Sequence, residues 1–155
     1  ILLKNQINRI LKVEAPMPLV LLNKILASLT NIPRLNSEYE KNVKEVVKNL
    51  EEYEIHDDGF IYPKFNEFKL VRNRENLDKA YRRIEFIPDI EIINAIYAAL
   101  ENGEATDLND INKVVLFYLG FTANKKLEDR INGLLSKLLE EKKLYLDEGF
   151  LYIQD

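Results

Sequence analysis

The stretch Asp57-Asp58-Gly59-Phe60-Ile61-Tyr62 returns near the other end of the chain as Asp147-Glu148-Gly149-Phe150-Leu151-Tyr152, 90 positions later. Two acidic residues and a glycine between apolar runs read as the turn of a β-hairpin, with Gly closing a three-residue loop. The residues before each hairpin repeat as well. At an offset of 89, Ile7 meets Ile96, Leu11 meets Leu100, Leu19 meets Leu108, Leu22 meets Ile111, and Asn23-Lys24 meets Asn112-Lys113. Ile25, Leu26 and Ile32 then meet Val114, Val115 and Phe121. Matches held in one order over this length indicate two copies of one unit.

Each copy passes through the same succession of periodicities. Leu3, Ile7, Ile10 and Leu11 share one helical face, as do Ile92, Ile93, Ile96 and Leu100, which predicts first helices over 2–13 and 90–100. Pro16 and Pro18 interrupt the first copy and Asn102-Gly103 the second, where Thr106 or Asp107 can cap the next helix. Second helices are expected over about 18–30 and 107–119. Asn31 and Gly120 stand just past them, the residue types most tolerant of a left-handed closing conformation. Ser37-x-x-Glu40 reads as a capping box opening a third helix with an inward stripe of Val43, Val46, Val47 and Leu50. Its counterpart carries Leu127, Ile131, Leu134, Leu135 and Leu138. Three helices closed by a hairpin, twice over, is the element order of the winged helix. The expected fold is therefore mainly α with small β-hairpins, an α+β chain of two tandem winged-helix-like units over 1–62 and 89–155. Pro63 and Pro88 bound a connector, 63–88.

Composition narrows the chemistry. The 155 residues contain no cysteine and one histidine, His56, and carry a formal net charge of −4. Disulfides, thiolate metal sites, cysteine nucleophiles and paired-histidine zinc sites are excluded. The five glycines, at 59, 103, 120, 133 and 149, open neither a G-x-x-x-x-G-K loop nor a G-x-G-x-x-G turn, so no phosphate cradle is expected. The acidic pairs Glu51-Glu52, Asp57-Asp58, Glu140-Glu141 and Asp147-Glu148 fall at helix ends and hairpin tips, where a solvated face explains them. His56 reads as a partly exposed strand residue. Tyr62 and Tyr152, like Phe60 and Phe150, recur at equivalent positions and read as packing residues. No membrane span and no charged leader is legible, which points to a cytoplasmic chain. The start at Ile1, already inside a helical pattern, points to a segment of something longer. The expectation is a non-catalytic module with no metal and no cofactor.

Several motifs carry a resemblance. R-R-I-E-F-I-P at 82–88 running into E-I-I-N-A-I at 91–96, L-F-Y-L-G-F at 116–121 and G-F-L-Y-I at 149–153 resemble a domain of unknown function near the C-terminal end of large prokaryotic superfamily-one helicase-like proteins. V-E-A-P-M at 13–17 is similar to that family's V-E-G-P-I, with Ala15 in place of the usual glycine. The resemblance spans nearly the whole chain, and its motifs are structural punctuation rather than chemistry. It implies a DNA-processing parent whose ATP-driven core, often with a restriction-like nuclease domain, lies outside these residues.

Charge then singles out the candidate contacts. Residues 1–62 hold eight cations against nine carboxylates, 63–88 seven against four, and 89–155 seven against thirteen, giving −1, +3 and −6. Winged helices commonly place the third helix in the major groove and the wing on the backbone, with cations neutralising phosphate. Lys41, Lys44 and Lys48 share an exposed flank of the first unit's third helix. Lys126, Arg130 and Lys137 share one in the second unit, on the opposite side of the wheel relative to the core. The connector adds Lys69, Arg72, Arg74, Arg82 and Arg83. Both wing tips are acidic, which sets like charge against phosphate. The leading expectation is a module that positions nucleic acid for a core elsewhere in the parent. The alternative is a protein-protein or intramolecular scaffold domain of the same parent, in which Arg82 and Arg83 pair with acidic groups and an apolar patch is exposed on one unit.

Overall fold

In the computed structural model, which describes residues 1–101 and 107–155, an amphipathic first helix, α1 (Leu2–Glu14), buries Ile7 and Leu11. The chain leaves it through a cis Ala15–Pro16 bond and forms a two-residue strand, β1 (Met17–Pro18), followed by α2 (Leu19–Leu29) and α3 (Ser37–Lys48). A hairpin of β2 (Tyr53–Ile55) and β3 (Phe60–Pro63) closes this part. The segment expected only to break the helical pattern is thus itself a strand: Met17 pairs with Ile61 and Pro18 with Phe60, making a three-stranded antiparallel sheet of order β1-β3-β2. Pro18 lacks an N–H, which an edge strand tolerates. Ile7, Leu11, Met17, Leu22, Val43, Val47 and Ile61 form the core here, each at most 1% exposed.

The second half runs α4 (Asp89–Glu101), α5 (Ile111–Leu119), α6 (Lys125–Glu140) and a hairpin of β4 (Leu144–Asp147) with β5 (Phe150–Ile153). Its core gathers Ile87, Ile92, Ile96, Ile111, Val115, Leu119, Leu127, Ile131 and Leu151 among other buried residues. In place of a paired β1, a single bridge joins Asp107 to Phe150. Among the described residues the chain therefore has six α-helices and two small antiparallel sheets, mainly helical with a minor β component. By residue contacts it divides into two compact units, Ile1–Phe68 and Lys69–Asp155. Most of the expected connector belongs to the second unit, and at that boundary the formal charges are −1 and −3, from nine cations against ten carboxylates and thirteen against sixteen.

Local signals explain most element ends. Asn31 and Gly120 both adopt positive φ, 57° and 84°, and the N–H of the residue after each reaches back to the carbonyl five positions earlier: Ile32 N to Ala27 O at 3.1 Å, Phe121 N to Leu116 O at 2.9 Å. This satisfies end carbonyls that the helices leave unpaired. The cap of α3 differs from the expected box. Asn36, not Ser37, accepts from Tyr39 N at 2.7 Å, and Asn124 does the same for α6 by accepting from Leu127 N at 3.0 Å. Asparagine caps as well as serine, and buried Leu35 fixes the chain one residue earlier. Asp110, rather than Asp107, precedes α5 and makes no side-chain cap bond; Asn102, Gly103 and Thr106 lie outside the described residues.

The two hairpin turns also part company. Asp57-Asp58-Gly59 is the expected three-residue loop, with His56 N donating to Phe60 O at 2.9 Å. In the second hairpin Asp147 pairs with Phe150, leaving the two-residue loop Glu148-Gly149 with φ of 52° and 84°. Two positive φ angles match the turn whose twist suits a tight hairpin.

Residues 69–76 are held to the second unit by a buried ion cluster. Glu91, 0% exposed in the first turn of α4, accepts from Arg72 N at 3.0 Å, Arg72 Nε at 3.1 Å and Arg74 Nη2 at 2.7 Å. Arg74, itself 6% exposed, also donates to Arg72 O at 2.9 Å. Removing one partner of such a cluster strands the others' charge in a low-dielectric interior. Glu91→Ala is expected to lower the free energy of unfolding by about 3–5 kcal/mol, whereas Glu85→Ala at an exposed site should cost about 0–1 kcal/mol. Urea denaturation followed by circular dichroism compares the two, and equal small losses would show that the cluster does not hold the unit.

Candidate nucleic-acid interface

On α3, burial of Val43 and Val47 turns Lys41, Lys44 and Lys48 to solvent. Lys41 and Lys44 form no ion pair with any described residue, and Lys48 lies 4.0 Å from Glu45 with both side chains half exposed. An open groove of about 620 Å³ runs beside this flank, lined by Leu19 and Asn23 of α2 and by Ser37, Lys41, Asn42 and Lys44 of α3. Its walls also include Glu38 and Glu40, first-turn carboxylates that complement the helix dipole. The side-chain oxygen of Asn23 is buried without a hydrogen-bond partner, and so is that of Asn112 at the equivalent position. The amide of Asn112 donates to Asn132 Oδ1 at 3.0 Å. Sequence reading singled out the lysines and missed the polar residues beside them. The recurrence of Asn-Lys in both copies was the available signal.

The other expected cations have other surroundings. Arg72 and Arg74 serve the Glu91 cluster. Arg82 donates through Nη2 to Gly120 O and lies 5.1 Å from the Phe121 ring centre. Arg130, expected on an exposed flank of α6, instead reaches back to donate to Ile84 O at 2.7 Å, Ile87 O at 2.9 Å and Asp89 Oδ1 at 2.6 Å. A planar guanidinium can satisfy several acceptors in one plane, which explains arginine at these places. Arg83 is exposed beside Glu85 at 3.5 Å and over Phe86. Glu85 is held below the usual carboxylate range, first by a hydrogen bond from its own backbone N–H and further by Arg83 and Lys126, so the field of Lys126 already acts on a carboxylate. Lys69 and Lys137 are exposed. Four arginines proposed from charge alone are thus built into the second unit, and the three lysines of α3 remain together at the surface.

The hairpins present different outer faces. In the first, Glu54 pairs with Tyr62 across the strands, His56 Nε2 lies 2.9 Å from Glu54 Oε1 and Tyr62 donates to Asp58 Oδ2 at 2.7 Å. Phe60 is buried, as its reading as a packing residue requires. In the second, Tyr145 faces Tyr152 in that place, with ring centres 5.1 Å apart and planes at 18°. Phe150 is 42% exposed, so here the packing assignment fails: the paired β1 that covers Phe60 is reduced to one bridge.

Among the described residues no group of three or more histidine, aspartate or glutamate side chains is placed to hold a metal ion, and no helix is long and apolar enough to cross a membrane. No family model, no curated protein and no solved structure matches the chain.

The placement of Arg130 separates a structural role from a DNA-contacting one. Arg130→Ala is expected to lower stability by about 2 kcal/mol, since it leaves the part-buried Ile87 carbonyl unpaired and removes the second donor to Ile84 O, which keeps only its bond from Ile87 N at 3.1 Å. Lys137→Ala should stay within about 0.5 kcal/mol of the parent. Thermal denaturation of both variants checks this; an Arg130→Ala protein as stable as the parent would return that arginine to the surface.

Proposed function

We propose that the chain is a non-catalytic accessory module of a helicase-like DNA-processing protein, built from two winged-helix-like units in tandem. Its DNA contact is assigned to α3 of the first unit. The observation that carries this is the undivided lysine flank of that helix, Lys41, Lys44 and Lys48, beside a groove edged by the hydrogen-bonding side chains of Ser37 and Asn42. Support for the wider reading comes from the order helix, helix, helix, hairpin in each unit and from the motifs at 82–96, 116–121 and 149–153. The third helix is the element such units insert into the major groove, where lysines set register on the phosphates and amide and hydroxyl groups reach base edges. The acidic turns and the net charge of −4 keep the interaction weak, suited to holding DNA beside a tighter-binding core.

A second reading, a protein-interaction or scaffold domain of the same parent, is favoured by one observation in the second unit: four of its five arginines are engaged internally while its hairpin exposes three aromatic rings. The two readings concern different units and are compatible.

Fluorescence anisotropy with single-stranded, duplex and forked DNA tests the first. Three lysine–phosphate contacts on duplex DNA should give a log–log salt slope of roughly −3, each contributing about −0.9. Replacing Lys41, Lys44 and Lys48 together with alanine should flatten that slope and weaken all DNA sequences alike. Absence of binding to every DNA form at low salt would sink the assignment, as would a triple variant that binds like the parent.

A further inference from the structure

We propose that the outer face of the β4–β5 hairpin is a docking surface for an arginine-rich segment of another protein. This rests on the protein-interaction reading of the second unit and is independent of DNA binding by α3. Leu144 and Leu151 turn inward and are 1% exposed, which forces Tyr145, Phe150 and Tyr152 outward at 43%, 42% and 39%. Leu108 is held beside the turn by its N–H to Gly149 O at 3.1 Å and is 37% exposed. Large apolar side chains clustered on one face mark interaction sites, whereas single ones need no explanation.

The fold does not require these aromatics. The first unit's hairpin has the same antiparallel pairing with Glu54 opposite Tyr62 where the second has Tyr145 opposite Tyr152. There the outer face is polar and satisfies itself through His56–Glu54 and Tyr62–Asp58 contacts. The stacked tyrosines are therefore a property of one hairpin, and a structural explanation common to both fails.

Charge chooses the occupant. The apolar strip ends on carboxylates: Asp147 pairs with Phe150, Asp107 bridges to Phe150, and Glu148 forms the turn. The cation on the same strand face, Lys143, sits 3.7 Å from Glu141. Phosphate backbones would meet these carboxylates unfavourably, and a second copy would bring identical carboxylates against them. Arginine suits both halves of the surface, since a guanidinium stacks on tyrosine faces and pairs with carboxylates through two parallel hydrogen bonds.

The test titrates the whole chain against a short fluorescein-labelled peptide of alternating arginine and leucine, with glutamate–leucine and serine–leucine peptides as comparisons, at about 0.15 M salt where surface steering is screened. The arginine peptide alone should bind, and Tyr145→Ser with Tyr152→Ser should weaken it about tenfold or more, or about 1.4 kcal/mol. Should that pair perturb folding, Asp147→Lys with Glu148→Lys at the exposed turn should weaken it comparably. Tyr62→Ser in the first unit should change nothing. Equal binding by parent and tyrosine variant would overturn the proposal. Tyrosine-dependent binding of the serine–leucine peptide would overturn its charge half while leaving a docking face. Failure of all three peptides would remove the protein-interaction reading as well. Tyrosine-dependent binding of oligothymidine, or a tyrosine-dependent dimer in sedimentation, would replace the proposed occupant.

Discussion

Glu91 is a fully buried carboxylate, and a charge in that position is tolerable only when its oxygens are paired and hydrogen-bonded. The oxygens receive a backbone N–H and two guanidinium groups from a segment 17 to 19 residues upstream, so that segment has to fold back against α4. Arg74 then continues the constraint. Its own N–H donates to Leu119 O at 3.1 Å, which seats the backbone of residues 74 and 75 against the end of α5. At that contact Gly120 has φ 84°, and a Cβ there would lie 2.5 Å from Arg74 N and Glu75 N. Glycine is thus required twice at one position, by the left-handed closure of the helix and by the approach of another strand of backbone. The buried charge, the helix end and the path of residues 69–76 form one arrangement.

Use of cations follows from the same arrangement. A stretch with seven cations against four carboxylates resembles a basic linker when only composition is considered. In the folded chain Arg72, Arg74 and Arg82, together with Arg130 from α6, act as internal hydrogen-bond donors to a carboxylate and to carbonyl oxygens outside the α-helices. Residues 79–87 contain only short 3₁₀ turns, which pair few of their carbonyls locally, and Arg130 supplies a donor for Ile87 O and a second one for Ile84 O. Net charge by segment therefore describes solubility and distant fields better than it describes contacts.

Helix positions, the αL residues Asn31 and Gly120 and the two hairpins were legible because each depends on neighbours in sequence: apolar spacing, a tolerant closing residue, an acidic-acidic-glycine turn. The extra strand at Met17–Pro18 was not, since two residues carry no period and its pairing with Phe60 and Ile61 spans more than forty positions. The shift of the α3 cap from Ser37 to Asn36 lay within one residue, where two good capping types stand side by side. At the candidate interface, exposure of Lys41, Lys44 and Lys48 followed from the valine stripe opposite them. The inward turn of Arg130 could not be read, because its acceptors, Ile84 and Ile87, lie more than forty residues away and are backbone atoms with no sequence signature. Phe60 and Phe150 occupy matching positions, yet only a neighbouring strand decides which is covered.

The Glu91 cluster also fixes where the chain can be divided. Pro88 is the boundary that punctuation in the sequence offers, but a fragment beginning there would retain the carboxylate and lose both arginines, along with the backbone that rests on Gly120. It would contain every α-helix and strand of the second unit and still lack the guanidinium groups that pair its buried carboxylate. The smallest heritable piece of this unit, the length that could be exchanged between proteins without repair mutations, therefore begins before its first helix, at the unstructured-looking residues that start with Lys69.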